Sequence, residues 1–516
     1  MLPSLLQFLI ASLSIQFANS LVVNASSPLT APVVSSLSLA VNTTSNSTRA
    51  CDDIHTCRTL YSIVQTCLAT IFACVWVAVH RNISGPRTRI IHSSNPIISV
   101  AQSLWAKILD QRQSVIVFSV TLLAPEWVLA WAIRQAIRAR QLARELEAAR
   151  TEAAELWATS HAEHAAEGGS AAAEEEDNRI ADVSLRSPPD EQIPLIETRI
   201  VSSSTSTAHV APSENQIEWI RAKHVAQLDQ AWTVAHAFFI IMGGYHGYNE
   251  HGPLYPLDPK TVVSLIKDGK LVPPTTDELS DKSKGDFLSK GVAILQTFWF
   301  VVQCIARLAE HLPITNLEVM TLAYTTMTLA MYIAWWNKPL SINCAIRVPT
   351  ASKAASARRK SVIDIVGDYV LGSQDISVDL GSLRGVPTFW AGKPDESDVV
   401  NADIFALAVA VAFGAVHCIA WSYAFASHKE LLMWRVSTMT VVVVPAGLFI
   451  SLLLTRAKIS VVESVGAIIC IFFIAVGAPL YICARIVLLV FSFTTLSSLP
   501  YAIYQTVQWT EFIPHI

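Results

Sequence analysis

The chain has 516 residues, 52% of them hydrophobic and only 15% charged, with a formal net charge of −4. Soluble proteins carry about 25% charged residues, so this composition excludes an ordinary soluble enzyme and predicts several membrane spans. The slightly acidic balance, with no basic stripe interleaved with aromatics, excludes nucleic acid as a partner.

Residues 1–20, MLPSLLQFLIASLSIQFANS, form an apolar run closing on Ala18-Asn19-Ser20, a small-x-small pattern that reads as a signal peptide. No Lys or Arg precedes the run, so an uncleaved anchor is the other reading. Residues 21–58 are Ser/Thr-rich and carry acceptor patterns at Asn24, Asn42 and Asn46, which predict a glycosylated lumenal or extracellular segment. Cys51 and Cys57 would share that oxidising compartment, where a disulfide and two free thiols are even readings. Cys67, Cys74, Cys304, Cys418, Cys470 and Cys483 lie in apolar runs and read as small buried residues.

A hydrocarbon core about 30 Å thick needs about 20 apolar residues in a helix. Runs 60–79, 291–308, 315–336, 403–425, 436–454 and 461–483 meet that length. Run 114–133 carries Pro125-Glu126 at its centre, and run 231–245 is too short to cross unaided. Basic residues after the first span and across 337–402 place those segments in the cytosol. Run 114–133 then either dips into the membrane and returns, the preferred arrangement, or spans, with 231–245 spanning back. Residues 60–133 thus hold the first membrane helices. Residues 134–230 read as a basic helix fraying into a disordered Ala/Glu and Ser/Thr linker. In 231–290, the short apolar element precedes a cytosolic segment in which Thr275-x-x-Glu278 predicts a helix start near Thr276. Residues 403–516 form a C-terminal bundle with an interfacial tail. The fold class is all-α, a polytopic bundle of six to eight membrane elements with a partly disordered cytosolic insertion.

The hairpin 291–336 keeps an unusual number of polar groups. At about 100° per residue, Gln296, Trp299, Gln303, Arg307 and Glu310 share one sector of the first helix, and Glu318, Thr321, Thr325, Thr328 and Tyr332 one sector of the second. A charge left against acyl chains costs at least a few kcal/mol, so both sectors must face protein or water. The stripe is therefore either packing glue across the hairpin or a polar slot for a solute, proton or head group, with an Arg307–Glu318 contact at the turn. Glu126, His236 and His417 are further ionisable groups in apolar surroundings.

No nucleophile elbow, HExxH, P-loop or run of His boxes occurs, so a lipid-modifying enzyme is the third and least favoured reading, and no cofactor or metal is predicted.

The elements DKSK-x-D, WF-x-x-QCIAR, LPIT-x-LE and WW-x-KPL, with supporting stretches such as LLAPEW and HCIAWSYAF, resemble an uncharacterised family of fungal multi-pass integral membrane proteins. The resemblance implies an integral membrane protein and transfers no site residue. The leading expectation is solute transport or a channel-like role in the plasma membrane or an endomembrane of the secretory pathway. The alternative is a non-enzymatic receptor or scaffold. The bilayer is the expected partner, together with a small solute or a recruited protein.

Overall fold

In the computed structural model, the residues described are 57–86, 113–168, 231–250, 252–283, 287–350, 375, 378–423, 425, 427–457 and 459–507. Asn24, Asn42, Asn46, Cys51 and the predicted linker beyond residue 168 lie outside them.

Helix α1 (Leu60–Phe72) is opened by Thr59, whose hydroxyl accepts the Ser62 N–H at 3.1 Å, and runs on through a π-helical turn, Ala73–Val77. Helix α2 (Gln113–Leu123) meets α3 (Pro125–Gly168) at a bend of 113°. Pro125 causes the break, because it donates no N–H and its ring clashes with the preceding turn. Helix α4 (Val234–Ile241) is followed by strands β1 (Tyr245–Asn249) and β2 (Gly252–Pro256) and by helices α5 (Pro259–Lys267) and α6 (Thr276–Lys282). The predicted Thr275/Glu278 capping box opens α6, with Thr275 N donating to Glu278 Oε2 at 2.8 Å and Glu278 N to Thr275 Oγ1 at 3.0 Å. The membrane hairpin is α7 (Phe287–Ala309) and α8 (Asn316–Ala334). Strand β3 (Ile346–Pro349) follows, then α9 (Glu396–Val416), α10 (His428–Thr455), α11 (Ser460–Phe472) and α12 (Ala478–Thr494).

Among the described residues, six helical stretches are long and apolar enough to cross a membrane: Leu60–Val77, Lys290–Ala309, Asn316–Ala334, Glu396–Ser422, His428–Thr455 and Ser460–Ser498. The fold is thus the helical membrane bundle predicted. Two details differ. Run 461–483 extends into one helical stretch of 39 residues, Ser460–Ser498, because a π-helical turn, Phe473–Gly477, carries α11 into α12 without interruption. The short run around residue 236 is an eight-residue helix with every residue from His236 to Ile241 buried. It lies against α3 and α5 and leads into the sheet.

That sheet, a small addition to an otherwise helical molecule, has the order β2-β1-β3, with β1 antiparallel to β2 and parallel to β3. The link between the parallel strands runs through β2, α5, α6 and the whole α7–α8 hairpin. Pairing of Tyr245 with Ile346 through Tyr248 with Pro349 therefore ties together the two ends of a membrane hairpin.

Helix α8 lies at the centre of the bundle. Of its apolar window 67% is buried, against 17% for Ser460–Ser498, and it packs on α1, α3, α7, α9 and α12. Its polar residues must therefore be satisfied by protein.

Candidate functional site

Three clusters of buried charge lie along α8. At its N-terminal end Glu318 completes a capping box, its Oε2 accepting the Thr315 N–H at 2.7 Å and the Thr315 hydroxyl at 3.0 Å. The expected Arg307–Glu318 contact is not the pair that forms. Arg58 holds Glu318 through both guanidinium nitrogens, with Nη2 to Oε2 at 3.1 Å. Arg307 instead donates to the carbonyls of Pro313 at 2.8 Å, Gln505 at 2.6 Å and Ile503 at 3.1 Å. Physically, one carboxylate already saturated by a capping box and a bidentate arginine leaves the second guanidinium to carbonyls of the hairpin turn and of the C-terminal segment around Ile503. The same carbonyl row ties in the chain ahead of α1, since Arg58 Nε donates to Ile503 O at 2.7 Å. Cys57, next to it, is disulfide-bonded.

The rest of the stripe turns toward α1 and is largely self-satisfied. Gln296 is fully buried and donates to Thr70 Oγ1 at 3.3 Å. The hydroxyls of Thr321, Thr325 and Thr328 donate to Leu317 O, Leu322 O and Tyr324 O within their own helix, at 2.7, 2.7 and 2.9 Å. Tyr332 is buried, and its hydroxyl meets no partner among the described residues. Trp299, Gln303 and Glu310 are half-buried.

The middle cluster sits at the α2–α3 break. Arg485, 2% exposed, lies in α12 and donates from Nη2 to Leu122 O at 3.0 Å and to the Tyr324 hydroxyl at 2.6 Å, and from Nε to Leu123 O at 3.4 Å. Its guanidinium also stands 4.4 Å from the Phe413 ring centre. The carbonyls it serves are those that Pro125 strands at the end of α2, so the cation replaces the hydrogen bonds the break removes. On the other side of the break Glu126 occupies the first turn of α3, where negative charge is favoured, and its Oε2 accepts the Tyr481 hydroxyl at 2.9 Å. His417 packs 5.1 Å from Phe413 and bonds the Phe413 carbonyl through Nδ1 at 3.0 Å. Its Nε2 has no partner among the described residues.

The third cluster lies just past the C-terminal end of α8. Lys338 is 1% exposed, and its ammonium donates to His80 O, to Gln135 Oε1 at 2.7 Å and to Asn82 Oδ1 at 3.5 Å. It stands 4.8 Å from the ring centres of both Trp131 and Trp335. Burial pulls its pKa well below the ordinary lysine value. Yet every group facing Nζ is an acceptor or a π face, so the surroundings match the protonated form. The cage is braced from behind: Gln135 Nε2, Trp131 Nε1 and Asn82 Nδ2 all donate to Trp390 O, at 2.7, 2.9 and 3.2 Å. Nearby, Gly85 and Gly385 bring two backbones together, and a Cβ on Gly85 would lie 2.5 Å from Arg384 O.

His236 belongs to none of these clusters. It closes the capping box of α4, its Nδ1 accepting the Thr233 N–H at 3.1 Å and its Nε2 donating to Pro274 O at 2.9 Å.

Sequence reasoning missed Lys338 and Arg485. Lys338 counts as one basic residue of a loop until WWNKPL is seen to fold back under the bundle. Arg485 stands in the apolar stretch YICARIVLLVF, and a lone arginine there is itself the missed signal.

Among the described residues no group of three or more His, Cys, Asp or Glu side chains is placed to hold a metal. No curated protein and no solved structure matches the chain. The profile of a family described as of unknown function (DUF8562) matches residues 206–357, a stretch that takes in α4 through β3 and so covers the hairpin together with the strands that close it.

Proposed function

We propose that the protein is a membrane transport protein that translocates protons, with Glu126 as the proton-exchanging group at the break between α2 and α3. The observation that carries this is the pairing pattern at the break. Glu126 and Arg485 attend its two sides, yet each is bonded to a tyrosine, Tyr481 and Tyr324, and no ion pair joins them. A direct pair would hold the carboxylate ionised, whereas a tyrosine hydroxyl can follow the carboxyl through both protonation states. Broken helices whose ends meet charged groups inside the membrane are the usual construction of a transport site, because irregular backbone is tolerated there only where protein or a cavity satisfies it. The site differs from the polar hairpin slot, whose threonine hydroxyls are consumed by their own backbone.

The test is a proton flux. The full chain is reconstituted in liposomes of phosphatidylcholine and phosphatidylglycerol enclosing a pH-sensitive dye, and an imposed pH gradient is followed under a potassium diffusion potential. The wild type is expected to dissipate the gradient faster than empty liposomes, Glu126→Gln to slow it at least about tenfold, as loss of an essential proton carrier does, and Glu126→Asp to restore part of it. A wild-type rate equal to that of empty liposomes, or an unaltered rate in Glu126→Gln, rejects the proposal.

A further inference from the structure

On the exposed apolar face of α10 and the α11–α12 stretch lies a second feature, unrelated to the proton site. A cavity of about 570 Å³ opens between α10 and the stretch from the end of α11 through the π-helical turn into α12, walled by Val436, Met439, Val443, Phe472, Val476 and Leu480. Its one charged lining residue is Arg435, whose Nε and Nη2 donate to Trp421 O at 3.2 and 3.0 Å and whose guanidinium stands 5.0 Å from the Trp421 ring centre. Its Nη1 makes no hydrogen bond or ion pair among the described residues.

Depth along α10 sets what this cation can meet. The next arginine of the helix is Arg456, at its C-cap and twenty-one residues on. At 1.5 Å per residue that is about 31 Å, the thickness of the hydrocarbon core. The two arginines therefore bracket the acyl region, with Arg435 at one head-group level beside an interfacial tryptophan and the apolar walls running inward from it. An apolar trough of this size with one cation at its polar mouth is complementary to an amphiphile carrying an anionic head and a long hydrocarbon tail.

We infer that this groove is a binding site for a glycerophospholipid, with the phosphate on Arg435 and one acyl chain along Val443 and Val476. Stacking on Trp421 and anchorage to its carbonyl pre-set the guanidinium and leave Nη1 for a phosphate oxygen. An uncharged lipid of the same chains would fill the trough and leave that donor unused.

Native mass spectrometry of the full chain in detergent tests this, with palmitoyl-oleoyl phosphatidylglycerol, palmitoyl-oleoyl glycerol and inorganic phosphate as probes. The wild type is expected to retain the phospholipid, to hold the phosphate-free lipid about tenfold less, and to retain no inorganic phosphate. Arg435→Gln should lower phospholipid retention about tenfold without affecting the phosphate-free lipid. Val476→Trp, at an exposed wall position outside the packed core, should fill the trough and displace both lipids while the melting temperature stays near the wild-type value. Equal retention of the two lipids by the wild type overturns the phosphate contact. Unchanged phospholipid retention in both variants overturns the site, and so does capture of inorganic phosphate alone, which would make the groove irrelevant.

Discussion

The ammonium of Lys338 is 2.7 Å from the amide oxygen of Gln135, and both side chains are buried. Gln135 belongs to α3 and Lys338 to the turn after α8, so this contact joins the broken helix to the central one. Replacing Lys338 with Met keeps the volume but strands His80 O and part of Gln135 as unpaired acceptors. The substitution is expected to cost about 2–4 kcal/mol, read as a lowered midpoint of unfolding in detergent. Lys338→Arg should also destabilise, since a planar guanidinium does not fit between two indole faces built around a compact cation.

Arg58 and Glu318 form the ion pair that ties the chain ahead of α1 to the start of α8, with side chains 17% and 6% exposed. In a double-mutant cycle with Arg58→Gln and Glu318→Gln, the coupling should be about 1–3 kcal/mol. Arg307→Gln should couple to Glu318→Gln less strongly than Arg58→Gln does, because Arg307 acts on the carboxylate through space and through the shared Ile503 carbonyl and forms no ion pair with it.

The threonines of α8 offer a sharp distinction between packing and passage. Since Thr321, Thr325 and Thr328 donate to carbonyls of their own helix, the triple change to Val should leave stability within about 1 kcal/mol of wild type, the worth of a typical intrahelical hydroxyl bond. Proton flux in liposomes should be unchanged as well. A large loss of flux with intact folding would restore the hairpin stripe as the conducting path.

Two buried imidazoles outside the spans set an acid limit. Burial lowers the pKa of both His236 and His80 below the ordinary histidine value. The unfolded chain then takes up these protons at a higher pH than the folded one. Their contribution to stability is complete above about pH 6.5 and is lost as pH falls through the folded-state values, at up to about 1.4 kcal/mol per pH unit for each proton. Unfolding midpoints measured between pH 7.5 and 5 should therefore fall with acidification. His236→Gln, whose amide can still accept from Thr233 and donate to Pro274, should flatten that slope and leave the share of His80.

What could be read from residues alone was whatever depends on length and local pattern. Runs of about 20 apolar residues mark the six spanning stretches, because hydrocarbon thickness imposes that length on any helix. Thr275 with Glu278 marks the start of α6 because a capping box is complete within four residues. Pro125 marks the break between α2 and α3 for an equally local reason. That Arg307 and Glu318 would be buried follows from the cost of charge in lipid.

Partner choice was not legible in this way. Glu318 pairs with Arg58 across 260 positions, Arg485 serves carbonyls more than 360 positions away, and Lys338 draws acceptors from the chain that follows α1 and from the body of α3. Strand β3 pairs in parallel with β1 across an entire membrane hairpin. Burial obliges each such group to find a partner, but any carboxylate, carbonyl or indole face within reach satisfies that demand. Which one is taken follows from how the helices pack, and only the folded bundle decides it.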